Sequence, residues 1–197
     1  MNKIILDTST EYLYVSIIKN DKESFTEVLY GKNNHSEKLM GIIEKGLGDI
    51  PAKELDEVIV GIGPGSYTGV RVALTVAKVL AWTINKPLKT ISSLTLVGSG
   101  YLKEDGVYAI SSVAKKGHVY GKIVEVEKGE INVLLNDIFL NDEDFEKEIN
   151  KIKTEKNNIL IVNNQNYKFD NDVINDNSIV VTSIHEVVPN YLRKANS

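Results

Sequence analysis

The glycine-rich segment GIGPGSYTGVR, residues 61–71, is the first candidate for chemistry in this sequence. It lies between an apolar run and a long helical pattern, so backbone N–H groups near Gly63, Gly65 and Ser66 could bind an anion at a helix N-terminus. The segment lacks the lysine of GxxxxGK[ST], and Ser66 stands where GxGxxG needs a glycine. GxSxG would also need glycine at positions 64 and 68. Alternatively, the glycines only permit a tight turn and close packing.

Asp7 is the second candidate, at the end of the apolar run in KIILDTST. A carboxylate with hydroxyl groups beside it can hold a hydrated metal ion next to a phosphate. The same residues could instead close a hairpin through hydrogen bonds from side chain to backbone. Asp7, Gly63, Gly65 and Ser66 are therefore weak candidates for an anion site, and the sequence predicts no catalytic residue.

Thiol and metal chemistry have little support in the sequence. The chain has no cysteine, which excludes disulfides, thiolate nucleophiles and cysteine-based metal sites. His35, His118 and His185 are far apart, and an HxxxH pair beginning at His35 would need a second histidine where the chain has Leu39. We therefore predict no metal site.

Composition limits the class of protein. The net charge of -4 argues against a nucleic-acid binder that acts by bulk electrostatics. A hydrophobic content of 42% and a charged content of 25% are typical of globular proteins. The sequence has no run of 18 apolar residues and no apolar leader, so we expect a cytoplasmic protein without a membrane partner.

The order of elements predicts an α/β fold with two lobes. Residues 1–104 read as βββαβαβα, with Asn33 or Asn34 as the cap of the first helix. After KEDG the pattern restarts with three strands, a helix capped at Asn141 or Asp142 and two more strands. Residues 105–197 therefore form a smaller, degenerate copy, and the tail at 187–197 could pack back on the first lobe.

The second predicted helix, residues 69–85, is unusually apolar. Arg71, Thr75 and Lys78 form one narrow polar stripe, and apolar residues cover an arc of about 200°, whereas a surface helix needs about 100° for its own core. Either both faces of this helix are buried within the domain, or one face contacts another chain.

Several motifs in order resemble the TsaB (YeaZ) family of the actin-like ATPase superfamily: DTST, HSEKL, GIGPGSYTGVR, ISSLTLV and the tail PNYLR, which ends at Arg193. The resemblance covers residues 1–100 well and the second half weakly. It implies the actin-like (ASKHA, ribonuclease H-like) fold, with a mixed sheet and flanking helices in each lobe. Many relatives have Asp-Ala-Arg where this chain has Val113, Ala114 and Lys115, so a polar role at those positions does not carry over.

The resemblance also implies a function. Family members are non-catalytic partners of the catalytic subunit TsaD in a complex with the small ATPase TsaE, which makes threonylcarbamoyladenosine (t6A) beside the tRNA anticodon. ATP and metal then belong to the partner subunits, this chain alone binds no cofactor, and tRNA is contacted only indirectly. Leu39 fits a subunit that has lost the HxxxH metal pair of TsaD.

Family members also form homodimers through helices of the first lobe. The partner interface is therefore expected on nine residues of the first two helices: His35, Leu39, Ile43, Val70, Arg71, Leu74, Ala77, Lys78 and Ala81. The alternative function is an active ATPase or small-molecule kinase of the same superfamily, with metal at Asp7 and phosphate at the glycine-rich segment. A metallopeptidase is disfavoured by the shortage of ligands.

Overall fold

The computed structural model describes residues 1–31, 34–156 and 158–192. The strands are β1 Lys3–Asp7, β2 Tyr12–Lys19, β3 Lys22–Tyr30, β4 Glu57–Gly61, β5 Leu88–Ile91, β6 Gly106–Lys115, β7 His118–Glu127, β8 Glu130–Asn141, β9 Ile159–Val162 and β10 Ile179–Val180. The helices are α1 His35–Leu47, α2 Tyr67–Ile84, α3 Ser93–Gly98, α4 Asp142–Lys153 and α5 Asn171–Asp176.

The chain divides into two compact units that are not continuous in sequence. The first unit comprises Met1–Ser93 and Asn175–Asn190, and the second comprises Leu94–Ile174 with the described residues Tyr191 and Leu192. The first boundary lies between Ser93 and Leu94, and the chain returns to the first unit near its end. There β10 pairs with β5, and Val187 packs against the core of the first unit.

The sheet of the first unit has six strands in the order β10-β5-β4-β1-β2-β3. Strands β1, β2 and β3 pair antiparallel, as their short connections require, and Asn20 and Asp21 take positive φ angles in the β2–β3 turn. Strands β4 and β5 follow helical crossovers and pair in parallel. Alternate residues such as Ile4 and Leu6 enter a core that includes residues of α1 and α2.

The second unit repeats this order with fewer strands. Its sheet has the order β8-β7-β6-β9, which matches β3-β2-β1-β4 of the first sheet, and no described strand takes the place of β5. Its core contains Val107, Ala109 and Ile123 from the sheet, with Phe145 and Ile149 from α4. The prediction of one α/β unit used twice, with a degenerate second copy, is therefore confirmed.

The helix caps agree only in part with the prediction. The Asn141 side chain accepts a hydrogen bond from the Asp144 N–H at 2.8 Å and caps α4. Asn34 precedes α1 with φ 72°, but its side chain makes no cap hydrogen bond. Asn33 lies outside the described residues. Among the helices of the described ranges, none has the length and apolar character needed to cross a membrane.

Candidate functional site

The glycine-rich loop packs directly against the backbone that follows β1. A Cβ atom on Gly65 would lie 2.2 Å from the Ser9 carbonyl oxygen, and one on Gly69 would lie 1.9 Å from the Thr8 carbonyl oxygen. The Ser66 N–H donates to Ser9 O at 2.6 Å, and the Thr8 hydroxyl donates to Gly69 O at 2.6 Å. These positions need glycine because the two backbones touch.

Backbone donors of this loop are used inside the chain. The Gly63 N–H donates to the Ser93 hydroxyl at 2.9 Å, and the Gly69 N–H donates to the Ser66 hydroxyl at 3.3 Å, which caps α2. The Ser66 N–H is also engaged, so an anion bound through these three N–H groups would have to displace three internal hydrogen bonds. The geometry therefore agrees with the interpretation that these glycines serve a tight turn.

Asp7 is buried in the same junction, with 1% of its surface exposed. Its Oδ1 accepts from the Ser9 N–H and hydroxyl at 2.6 Å each, and its Oδ2 accepts from the Ser93 hydroxyl at 2.5 Å. Burial raises the pKa of Asp7, opposed by the hydrogen bonds from Ser9 and Ser93. Ser9 is one of the hydroxyl residues beside Asp7 in the sequence, whereas Ser93 is not visible there as a site residue because it lies 86 positions away.

The Asp7 carboxyl group is enclosed by the first unit itself. Within residues 1–31, 34–156 and 158–192, no group of three or more histidine, aspartate or glutamate side chains is placed to hold a metal ion. A Cβ atom on Gly61 would lie 1.6 Å from Asp7 Oδ2, so the backbone of β4 closes that side of the carboxyl group. Both oxygens of this carboxyl group accept hydrogen bonds, from Ser9 and from Ser93.

Most of the predicted interface residues are buried in the core of the first unit. Six of them are between 0% and 4% exposed: Leu39, Ile43, Val70, Leu74, Ala77 and Ala81. The physical reason is that α2 buries more than one face within its own unit. Its half-buried Val72, Val76 and Leu80 also pack against the core, so burial accounts for most of the wide apolar arc.

A different set of α2 side chains is exposed. Tyr67 is 49%, Val79 57% and Trp82 66% exposed, on the face that also carries the exposed Arg71 and Thr75. The guanidinium carbon of Arg71 lies 3.9 Å from the centre of the Tyr67 ring, in cation–π geometry. Hydrophobic periodicity placed Arg71 and Thr75 on the polar stripe, but it did not separate Val79 from the core, because Val79 and the core residues belong to one apolar arc.

Lys78 differs from the other predicted interface residues because it is half-buried and bonded within its own unit. Its Nζ donates to the carbonyl oxygens of His185 at 3.0 Å and Val187 at 3.1 Å. A groove of about 280 Å³ lies beside it and is lined by Thr75, Lys78, Val79, Trp82, Ile184 and His185.

The remaining candidates occupy separate places. His35 begins α1, and burial is the main cause that lowers its pKa. Val113 is 51% exposed at the end of β6, and Lys115 Nζ lies 5.5 Å from the centre of the Phe139 ring. Arg193 of the tail motif lies outside the described residues.

Comparison with known proteins identifies relatives of the chain. A sequence model of the family "TsaD: tRNA N6-adenosine threonylcarbamoyltransferase" matches residues 30–189. The "tRNA threonylcarbamoyladenosine biosynthesis protein TsaB" of Bacillus subtilis (strain 168) is 31% identical over 139 residues. That match covers 70% of this chain and 61% of the relative, so the chain spans less than two thirds of the relative's length.

Solved structures resemble the fold. "YeaZ from Pseudomonas aeruginosa" has a TM-score of 0.65 at 24% identity, over 71% of this chain and 67% of that one. "An uncharacterized protein with similarity to peptidase YEAZ from Pseudomonas aeruginosa" has a TM-score of 0.76 at 18% identity, over 98% and 99%. With the repeated strand order, these likenesses show the predicted actin-like fold. The chain therefore belongs to the TsaD family of tRNA N6-adenosine threonylcarbamoyltransferases, within its TsaB (YeaZ) group.

Proposed function

We propose that this chain serves t6A synthesis in the cytoplasm as a non-catalytic scaffold, which binds the catalytic TsaD subunit through the outer face of α2. The observation that carries the proposal is the exposure of Tyr67, Val79 and Trp82 on one face of a helix whose opposite face forms the core. Large apolar and aromatic side chains exposed along one face of a helix are typical of protein interfaces. The family relationship supports a partner from the same pathway.

The geometry at Asp7 supports a scaffold rather than an enzyme. Both carboxylate oxygens accept internal hydrogen bonds, and the loop donors at Gly63, Ser66 and Gly69 are also engaged. ATP and metal would then be bound by the TsaD and TsaE partners. Contact with tRNA would be indirect, in keeping with the net charge of -4.

The same face of α2 would pair two copies of the chain when TsaD is absent. Homodimers are most often isologous, so that one patch meets itself across a two-fold axis. Arg71, stacked on Tyr67, would contribute a cation at this surface. We therefore expect the homodimer and the complex with TsaD to compete for one surface.

Val79→Glu tests this surface. Because Val79 is 57% exposed, the variant should fold like the wild type, yet it places a charge beside Trp82 on the exposed face. We expect at least about tenfold weaker binding of the same organism's TsaD in calorimetry, and a matching loss of reconstituted t6A synthesis. Leu74→Glu is unsuitable, because Leu74 is 4% exposed and a buried charge would unfold the unit.

Val133→Glu is the matched control, since Val133 is 48% exposed on β8 of the second unit. It should bind TsaD like the wild type. Equal affinity of the Val79 and Val133 variants would contradict the proposed surface. Binding and turnover of ATP with Mg²⁺ by the isolated chain would contradict the scaffold role and favour an ATPase or small-molecule kinase.

A further inference from the structure

The groove beside α2 has dimensions that suit one side chain. Its volume is about 280 Å³, whereas small-molecule sites usually have roughly 300–1,000 Å³ and enclose most of the ligand. Two lining residues, Val79 and Trp82, are themselves 57% and 66% exposed. The groove is therefore too open to enclose a cofactor, but it can receive one large side chain from a neighbouring protein.

Lys78 joins the two walls of this groove. One wall is α2, and the other is the segment 184–187, whose His185 and Val187 carbonyl oxygens both accept from Lys78 Nζ. An ammonium group has three donors, so two of the three hold this segment. The His185 ring then lies 6.4 Å from the Trp82 ring in an edge-on arrangement.

We infer that Lys78 is a positioning residue, which holds residues 184–187 against α2 and so completes a groove into which TsaD inserts an aromatic side chain. The inference rests on the proposed function, because the groove shares Val79 and Trp82 with the proposed α2 surface. Val79 and Ile184 give the groove apolar walls, and Trp82 and His185 give it aromatic ones. An aromatic side chain complements such a lining because it can pack on the apolar walls and stack against the rings.

Lys78→Met tests the inference because methionine keeps an apolar stem and removes the donors. Trp82 is the only tryptophan of the chain, so fluorescence excited selectively at tryptophan reports on the groove. We expect acrylamide to quench Trp82 more strongly in the variant, and TsaD to bind about tenfold more weakly in calorimetry. Lys78→Arg, which keeps donors for the two carbonyl groups, should restore most of the affinity.

Lys151→Met is the matched control, because Lys151 is an exposed lysine on α4 of the second unit. It should change neither the quenching nor the affinity. Unchanged quenching in Lys78→Met, or stronger quenching with wild-type affinity for TsaD, would overturn the inference and leave the proposed function standing. If wild-type chain fails to bind TsaD at all, the proposed function falls, and this inference falls with it.

Discussion

At the scale of single residues, Asp7 holds together the junction between β1, the glycine-rich loop and the start of α3. It accepts from Ser9 twice and from Ser93 once, and Ser93 in turn accepts from the Gly63 N–H. A buried donor that loses its acceptor costs about 1–3 kcal/mol, more than the net gain of an average hydrogen bond. Removal of the Asp7 carboxyl group should therefore lower the free energy of unfolding.

Asp7→Ala should lower the free energy of unfolding by at least about 1–3 kcal/mol, because Ser9 and Ser93 lose their buried acceptor. Asp7→Asn keeps an acceptor for Ser9 and should cost much less. Urea denaturation followed by circular dichroism would measure both. Equal losses in the two variants would show that the carboxylate charge, and not the hydrogen bonding, matters.

The difference in stability between the wild type and Asp7→Asn should depend on pH, because burial raises the pKa of Asp7. In the native state Asp7 binds its proton more tightly than in the unfolded chain, where its pKa is near 3.8. Stability of the wild type relative to Asp7→Asn should therefore fall as the pH rises from 3.8 through the native pKa, and then stay constant. Denaturation at successive pH values would test the sign, and a rise would contradict it.

At the scale of elements, the close contact between α2 and the backbone after β1 depends on glycines. A Cβ atom on Gly65 would overlap the Ser9 carbonyl oxygen, and one on Gly69 would overlap the Thr8 carbonyl oxygen. A side chain there would push α2 away from the sheet, since backbone atoms cannot rotate aside as side chains do. Such a shift would also disturb the exposed face that we propose as the TsaD surface.

Gly69→Ala should destabilise the protein by about 1–3 kcal/mol, because its Cβ would overlap the Thr8 carbonyl oxygen. Gly41→Ala is the control, and its effect on stability should have the opposite sign. Gly41 lies in α1 with no atom within 4 Å of its added Cβ, so alanine should stabilise by up to about 1 kcal/mol through helix propensity. Thermal melts would measure the stability of both variants against the wild type. A Gly69→Ala variant as stable as the wild type would contradict the close contact between the two backbones.

At the scale of the whole molecule, the return of the chain to its first unit is secured by a buried ionic cluster. Glu57 lies 3.2 Å from Lys3 Nζ and 2.8 Å from Lys89 Nζ. Lys3 also donates to Asn175 Oδ1 at 3.0 Å, at the residue where the returning segment begins. The cluster thus ties three strands of the sheet to the final segment.

Glu57→Gln should destabilise the protein by about 3–5 kcal/mol, because two largely buried lysines lose their counter-charge. Glu148→Gln breaks an exposed pair with Lys151 on α4 and should cost less than about 1 kcal/mol. Urea midpoints for the two variants would separate these expectations. Similar midpoints would mean that the cluster near Asn175 is not desolvated.

Much of this fold could be predicted from local patterns. Apolar alternation, short turns and caps such as Asn141 placed most of the strands and helices, and the restart after KEDG indicated the repeated unit. Pairing partners were harder to predict. β10 was expected in the second lobe but pairs with β5 of the first sheet, because two apolar residues fit either sheet locally and only the path of the chain selects one.

The sequence by itself determined the family, the repeated α/β pattern and the need for glycine between β4 and α2. Only the tertiary structure decided what those glycines touch, and which part of the apolar arc on α2 is exposed. Leu74 and Val79 are both apolar residues of one helix, yet they are 4% and 57% exposed. Periodicity gives the direction of a side chain around its helix, whereas burial depends on neighbours that the rest of the chain brings to it.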